Sequence, residues 1–335
     1  MNEKSLSPRF MSAMNHPHFT RRSFLKVAGG AMLAAGTAVA QTPSPVTNSP
    51  TATGSPLPKG RIGKLELSRL ILGTNIITHH VHARDLQFVR NLSRHYNSED
   101  RVLATFAEAE TRGINTFMTH HDETVVRLFK EHRKRGSKMN WIVAPDPKES
   151  KESEVFSGVV QQLVDAGADA FYLHGAVSDP LVSRGKMDFL IQLVAMMQAT
   201  GLPTGVGAHD LEVVKACEAA KAPCDFYVKT FHHHKYPTAP EPKDIKGPHA
   251  EAPHGYWCAN PEETAKFMES VAKPWIGFKV MAAGAIPPRN AFQYAYSNGA
   301  DFILAGMFDF EIAEDAQIAA EVLANIKDRA RPWRG

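Results

Sequence analysis

The chain has 335 residues, with 38 Lys and Arg against 35 Asp and Glu, and 16 His. A net charge of +3 is too small to mark a nucleic-acid partner, and it shrinks once the basic N-terminal stretch is set aside. With 43% apolar and 22% charged residues the composition is that of a soluble globular protein, long enough for one large domain or two ordinary ones.

The first informative stretch is Thr20-Arg21-Arg22-Ser23-Phe24-Leu25-Lys26, a twin arginine ahead of an Ala- and Gly-rich apolar run, Val27 to Val39. Ala38-Val39-Ala40 then supplies a small-residue cleavage site before Gln41. The run is too short to cross a bilayer, so residues 1–40 read as a twin-arginine export signal. That implies the export machinery as a partner, a periplasmic or secreted location, and no stable membrane insertion after cleavage. Residues 41–59, rich in Pro, Thr and Ser, read as a flexible tether. Cys217, Cys224 and Cys258 form no Cys-x-x-Cys pair, and an odd number cannot all be bridged internally. Cys217 and Cys224 read as buried small side chains, Cys258 as a loop thiol with scope for reactivity.

From residue 60 onward, short apolar runs alternate with helical patterns. The runs are Leu70–Gly73, Asn115–Thr119, Trp141–Ala144, Ala170–Leu173, Pro203–Gly207, Asp225–Lys229, Trp275–Val280 and Asp301–Ala305. Between them lie amphipathic stretches such as 100–112, 154–166 and 186–199, the last two stopping at Gly167 and Gly201. Such alternation argues for a parallel sheet with helical crossovers. Eight units in this length predict a single-domain (β/α)₈ barrel spanning 60–330, with a Pro- and His-rich insertion at 238–261 after the sixth strand. No Gly-x-Gly-x-x-Gly follows the first run, which counts against a dinucleotide-binding open sheet.

In a barrel, chemistry belongs at the C-terminal ends of the strands. Those ends offer Asn75, then His120, His121 and Asp122, then Asp146, His174, His209 and Asp210. The sixth run continues as Lys229-Thr230-Phe231-His232-His233-His234-Lys235-Tyr236, the seventh carries Lys279, and the eighth leads to Asp309 and Glu311. In this triple run the first one or two histidines, His232 with or without His233, are expected to face the pocket and His234 the solvent, although strict alternation would pair His232 with His234.

Several segments resemble the aldo-keto reductases. Residues 61–74 look like that family's opening hairpin and first strand, 109–115 like the helix leading into its second strand, 168–174 like its fourth strand and 202–207 like its fifth. Residues 299–306, with Glu314 and Asp315, look like its last strand and closing helix. The resemblance implies a barrel enzyme using NADP, with an Asp and a Tyr around the second strand, a Lys ending the third and a His ending the fourth. His174 matches the last of these. The second strand continues as Thr119-His120-His121-Asp122-Glu123 and the third ends Ala144-Pro145, so the tyrosine and lysine are missing and with them the usual acid. Near the eighth strand, where the resemblance places the nucleotide, Asp309 and Glu311 stand where a 2′-phosphate calls for cations, with Arg289 the nearby candidate.

The rim residues themselves suggest metal-assisted chemistry on a sugar or other polyhydroxy carbonyl compound, as an isomerase, epimerase or lyase. His121, His174, His209 and His232 are the expected ligands of a divalent Zn, Mn, Fe or Ni ion, with Asp122 as a substitute for His121. Lys229, Asp122, His233 and Lys279 are the expected acids and bases, Lys229 because a lysine inside an apolar strand becomes a neutral amine. Asn75, His120, Asp210, Tyr236 and Trp257 are expected to hold substrate. Two other readings remain: an NADP-dependent oxidoreductase with an altered acid, and a solute-binding barrel without catalysis.

Overall fold

The computed structural model of the chain describes residues 57–145, 153–247 and 257–335. Residues 1–56, which hold the expected export signal and most of the expected tether, Asp146 and the middle of the insertion (248–256, with His249, His254 and Tyr256) lie outside the described residues.

An antiparallel hairpin comes first: β1 (Lys59–Ile62) and β2 (Leu65–Ser68) turn at Gly63, whose φ of +58° suits glycine. Eight parallel strands come next: β3 (Leu70–Gly73), β4 (Thr116–His120), β5 (Asn140–Ala144), β6 (Ala170–Leu173), β7 (Thr204–Ala208), β8 (Phe226–Thr230), β9 (Trp275–Phe278) and β10 (Phe302–Gly306). Each pairs with the next, and β10 returns to β3 with Ile303 opposite Leu70, closing the ring. Ile62 and Leu67 of the hairpin join an apolar cluster with Ile71, Met118, Ile142, Phe226, Ile276 and Phe302, so the hairpin plugs the floor of the barrel. The barrel read from the sequence is the barrel observed.

The helices fall in the expected gaps. They are α1 (Gln87–Tyr96), α2 (Glu99–Thr111), α3 (Glu123–Lys134), α4 (Ser153–Asp165), α5 (Gly175–Ser183), α6 (Met187–Gln198), α7 (Leu211–Ala219), α8 (Pro261–Met268), α9 (Pro288–Ser297) and α10 (Ile312–Asn325). Ser98, Asp122 and Asp210 cap α2, α3 and α7 by accepting the backbone N–H of Arg101, Val125 and Glu212. The described part of the insertion holds only a 3₁₀ turn, Pro242–Asp244.

Period-two alternation divides the strands into two packed layers. Met118, Ala144, Tyr172, Phe226 and Val228 fill the lumen. Phe117, Val143, Phe171, Val206, Tyr227 and Phe231 face the surrounding helices. Gly205 contributes no bulk because the Phe226 ring occupies its side, and a Cβ there would collide with that ring.

The floor is tied by ion pairs. Asp301 is fully buried, 2.6 Å from Arg331 and 2.9 Å from Arg329, while its carbonyl accepts from Arg69 at 2.8 Å. Trp333 lies against the guanidiniums of both Arg69 and Arg329, at 3.9 and 3.5 Å. Removing one partner of such a buried network leaves the others uncompensated. Asp301→Ala is therefore expected to lower the unfolding free energy by about 3–5 kcal/mol in urea denaturation; a change below about 1 kcal/mol would show that the floor does not hold the barrel closed.

Candidate active site at the barrel mouth

The alternation that fills the lumen continues past the strand ends. Met118 points inward, so His120 does; Tyr172 points inward, so His174 does; Val206 and Ala208 point outward, so His209 turns in. The imidazoles of His174 and His209 lie 6.4 Å apart, and His209 packs 5.5 Å from Phe278 of β9, which borders the lumen cluster. Three of the expected histidines thus meet at one mouth.

His209 is oriented by a residue that the strand-end reading missed. Asp179, on α5, accepts the Nδ1–H of His209 at 2.7 Å and also the backbone N–H of His209 at 3.0 Å and of Asp210 at 3.3 Å. With Nδ1 donating, the acceptor lone pair of the neutral ring sits on Nε2, the arrangement of a carboxylate-supported general base. Gly175 makes this possible, since a Cβ there would stand 2.7 Å from His209 Nδ1.

The loop between β3 and α1 brings two further imidazoles that were also missed. His80 meets His120 edge-on at 4.9 Å, and His82 Nε2 lies 3.0 Å from Asn75 Nδ2. His82 packs 5.4 Å from the Trp257 ring, and the Lys279 ammonium lies 5.7 Å from the same ring. Lys279 directly follows β9 with a φ of +55°, a left-handed conformation that costs a non-glycine residue about 1 kcal/mol or more. Ala282 and Ala283 in the same turn share that conformation.

Burial sets the charge of the mouth. His174 is held down to about 3, first by desolvation and then by the neighbouring His209, His120 and Lys279. Desolvation also holds His82 near 3, helped by Lys279 and His209. Both are neutral at pH 7, beside a lysine side chain and a histidine–aspartate pair. This combination can polarise a carbonyl oxygen, steady a developing oxyanion, and accept or return a proton.

Several expected roles are corrected. Among the described residues no three His, Cys, Asp or Glu side chains converge closely enough to hold a metal ion. The reason is local bonding: His232 is buried with Nδ1 at 3.0 Å from its neighbour's carbonyl and Nε2 accepting the Trp257 N–H at 3.0 Å. His174 Nδ1 accepts from Ala176, which puts the proton of the neutral ring on Nε2, whereas His209, with Nδ1 bonded to Asp179, keeps its lone pair on Nε2. His121 lies on the outward phase, its N–H bonded to the Ala144 carbonyl. Lys229 is buried outside the lumen, bonded to Thr230 and near Cys258. His233 faces α9, 2.9 Å from Asn290. Asp122 and Asp210 serve as helix caps, and the Tyr236 ring lies 5.9 Å from the Arg84 guanidinium. Asn75, His120 and Lys279 remain in the mouth, while Trp257, expected to hold substrate, is buried at 1% exposure beneath His82 and Lys279.

The histidine triplet obeys alternation after all: His232 and His234 face the same way, His232 taking the N–H of Trp257 and His234 bonding the carbonyl of Cys258 at 2.6 Å. The triplet is a clamp that sets Trp257 beneath the mouth. All three cysteines are buried thiols, including Cys258.

The depressed histidines have a consequence for stability. His82, His174 and His232 all stand near 3 in the fold against an ordinary 6.5. Between those values the unfolded chain binds more protons, so stability falls as pH drops below 6.5 and is flat in these groups above it. Each contributes a slope of about 1.4 kcal/mol per pH unit. The urea midpoint is expected to fall steadily from pH 6.5 to 5, and less steeply in His174→Gln; a midpoint constant over that range would contradict the neutral mouth.

No family model matches the chain, and no curated protein matches it. Solved structures do. A Pseudomonas aeruginosa protein assigned to the aldo-keto reductases superposes with a TM-score of 0.54 at 16% identity, covering 79% of this chain and 94% of the other. An aldo-keto reductase from Bacillus halodurans, in its holo form, gives 0.52 at 12% identity over 83% and 100%. A variant of Gox0644 in complex with NADPH gives 0.51 at 10% identity over 82% and 90%. The chain has the barrel fold of the aldo-keto reductases.

Proposed function

We propose that this chain is an oxidoreductase of a small polyhydroxy carbonyl compound, with the acid of the aldo-keto reductases replaced by the lysine and histidines of the mouth. The observation that carries the reading is Lys279, placed by a left-handed turn beside His82, His174 and the His209–Asp179 pair. The reductase neighbours support the same class through their shared scaffold.

In this reading a nicotinamide supplies the hydride when bound. Lys279 donates to the carbonyl oxygen and steadies the charge that develops there. His174, neutral, orients the same oxygen, and His209 moves the proton with Asp179 holding its tautomer. Trp257, buried beneath the mouth, backs His82 and Lys279 with its ring.

The chain's acidic residues favour NAD over NADP. Asp309, Glu311 and Glu314 stand at the start of α10, where the family resemblance puts the nucleotide, while Asp315 is buried with its carboxyl pushed up to about 7 by desolvation and its acidic neighbours. Asp309 is held by Tyr96 at 2.6 Å and Arg101 at 2.9 Å, and Arg289 is paired with Glu321 at 2.6 Å. Carboxylates suit a ribose 2′-hydroxyl and repel a 2′-phosphate.

A second reading rests on the His209–Asp179 pair, which equally suits proton abstraction beside a carbonyl. That isomerase reaction needs no external hydride and would show as coenzyme-free exchange of substrate hydrogen with heavy water. Fluorescence titration with NADH and NADPH, followed by turnover on aldoses and keto-sugars, separates the two. The oxidoreductase reading expects NADH to bind more tightly, and Lys279→Met to lower kcat/KM by about 10²–10⁴ with the thermal midpoint preserved. Failure of both coenzymes to bind, or full turnover in Lys279→Met, would remove it.

A further inference from the structure

Lys229 and Cys258 take no part in the mouth, yet they form an unusual pair behind it. Both are completely buried, with Nζ 4.0 Å from Sγ. Nζ donates to the Thr230 carbonyl at 2.9 Å and to Thr230 Oγ1 at 3.0 Å, and among the described residues no carboxylate forms an ion pair with it. The thiol's other polar neighbour is Thr264 Oγ1, also at 4.0 Å. A buried lysine without a counter-ion is rare, because desolvation penalises its charge. Here burial lowers the ammonium's pKa, with Cys258, Asp179 and Asp210 opposing it in part. Burial favours the deprotonated form of this amine, and that form is the nucleophile.

The two groups are also held together from outside. His232 and His234 fasten Trp257 and Cys258 to the end of β8, so the thiol and the amine belong to segments already clamped in register. Such preorganisation converts a bimolecular encounter into a local one.

We propose that Lys229 and Cys258 form a reversible covalent link, a sulfenamide bond between Nζ and Sγ, when the protein meets hydrogen peroxide. Peroxide first oxidises the thiol to a sulfenic acid, the S–H becoming S–OH with release of one water. The neutral amine then attacks sulfur; the N–S bond forms, the S–O bond breaks, and the departing hydroxide takes a proton from nitrogen as a second water. The linked pair is lighter than the reduced pair by two hydrogens. A dithiol reductant cleaves N–S, returning amine and thiol and becoming a disulfide itself. Since Trp257 adjoins Cys258 and packs against His82 and Lys279, the link would pin the aromatic wall of the mouth.

The test is peptide mapping of the full chain after peroxide treatment, with free thiols alkylated under denaturing conditions. The expected product is a tryptic pair joined through Lys229 and Cys258, uncleaved at Lys229, two hydrogens lighter than the sum of its free peptides, and lost on reduction. In Lys229→Arg the pair disappears and Cys258 proceeds to sulfinic or sulfonic acid; in Cys258→Ser no adduct forms at Lys229. The readout is mass alone, so it stands apart from any result on coenzyme or turnover. Wild-type Cys258 advancing to sulfinic acid with Lys229 unlinked, or staying reduced while methionines oxidise, would overturn the proposal.

Discussion

The molecule depends on one geometric constraint: in a closed parallel barrel each strand has a lumen face and a helix face, and successive residues must alternate between them. That rule places His120, His174 and His209 on the inside from three different strands. It also sends Lys229 to the outside, two residues after Tyr227 on the helix face of β8. A shift of one residue in any strand would exchange the two sets. Closure of β10 onto β3 and the buried Asp301 knot at the floor keep the registers fixed.

Electrostatics then decide what the converged side chains can do. Several imidazoles crowded near one lysine and partly shielded from water are driven to the neutral form, as His82 and His174 are. Neutral imidazoles are good metal ligands, which is why the histidine-rich rim suggested a metal. The ring nitrogens are instead engaged one by one: by an aspartate at His209, a helix N-terminus at His174, and the backbone of Trp257 at His232. These bonds fix tautomers, and fixed tautomers serve proton transfer.

Much of this was legible in the sequence. The eight apolar runs and the glycine-stopped helices gave strands and helices within a residue or two, because their periodicity is local information. His120, His174 and His209 were findable as strand-end residues. His80 and His82 were not, since the stretch from β3 to α1 has no periodicity to place it. Asp179 was hidden because it comes from a helix rather than a strand end, and no spacing connects it to His209. The role expected of Lys229 failed for a different reason. Both faces of a parallel barrel strand are apolar, so a short run does not reveal which phase points inward. For the triplet of histidines the alternation rule was correct, with His232 and His234 on the same side.

The most direct test of the account is ¹⁵N NMR of the imidazoles in selectively labelled protein. Convergence at a shielded mouth predicts that His174 stays neutral from pH 7.5 to 5, while neutral His209 carries its proton on Nδ1. Ordinary titration of His174 near 6.5, or a His209 ring protonated on Nε2 alone, would contradict it.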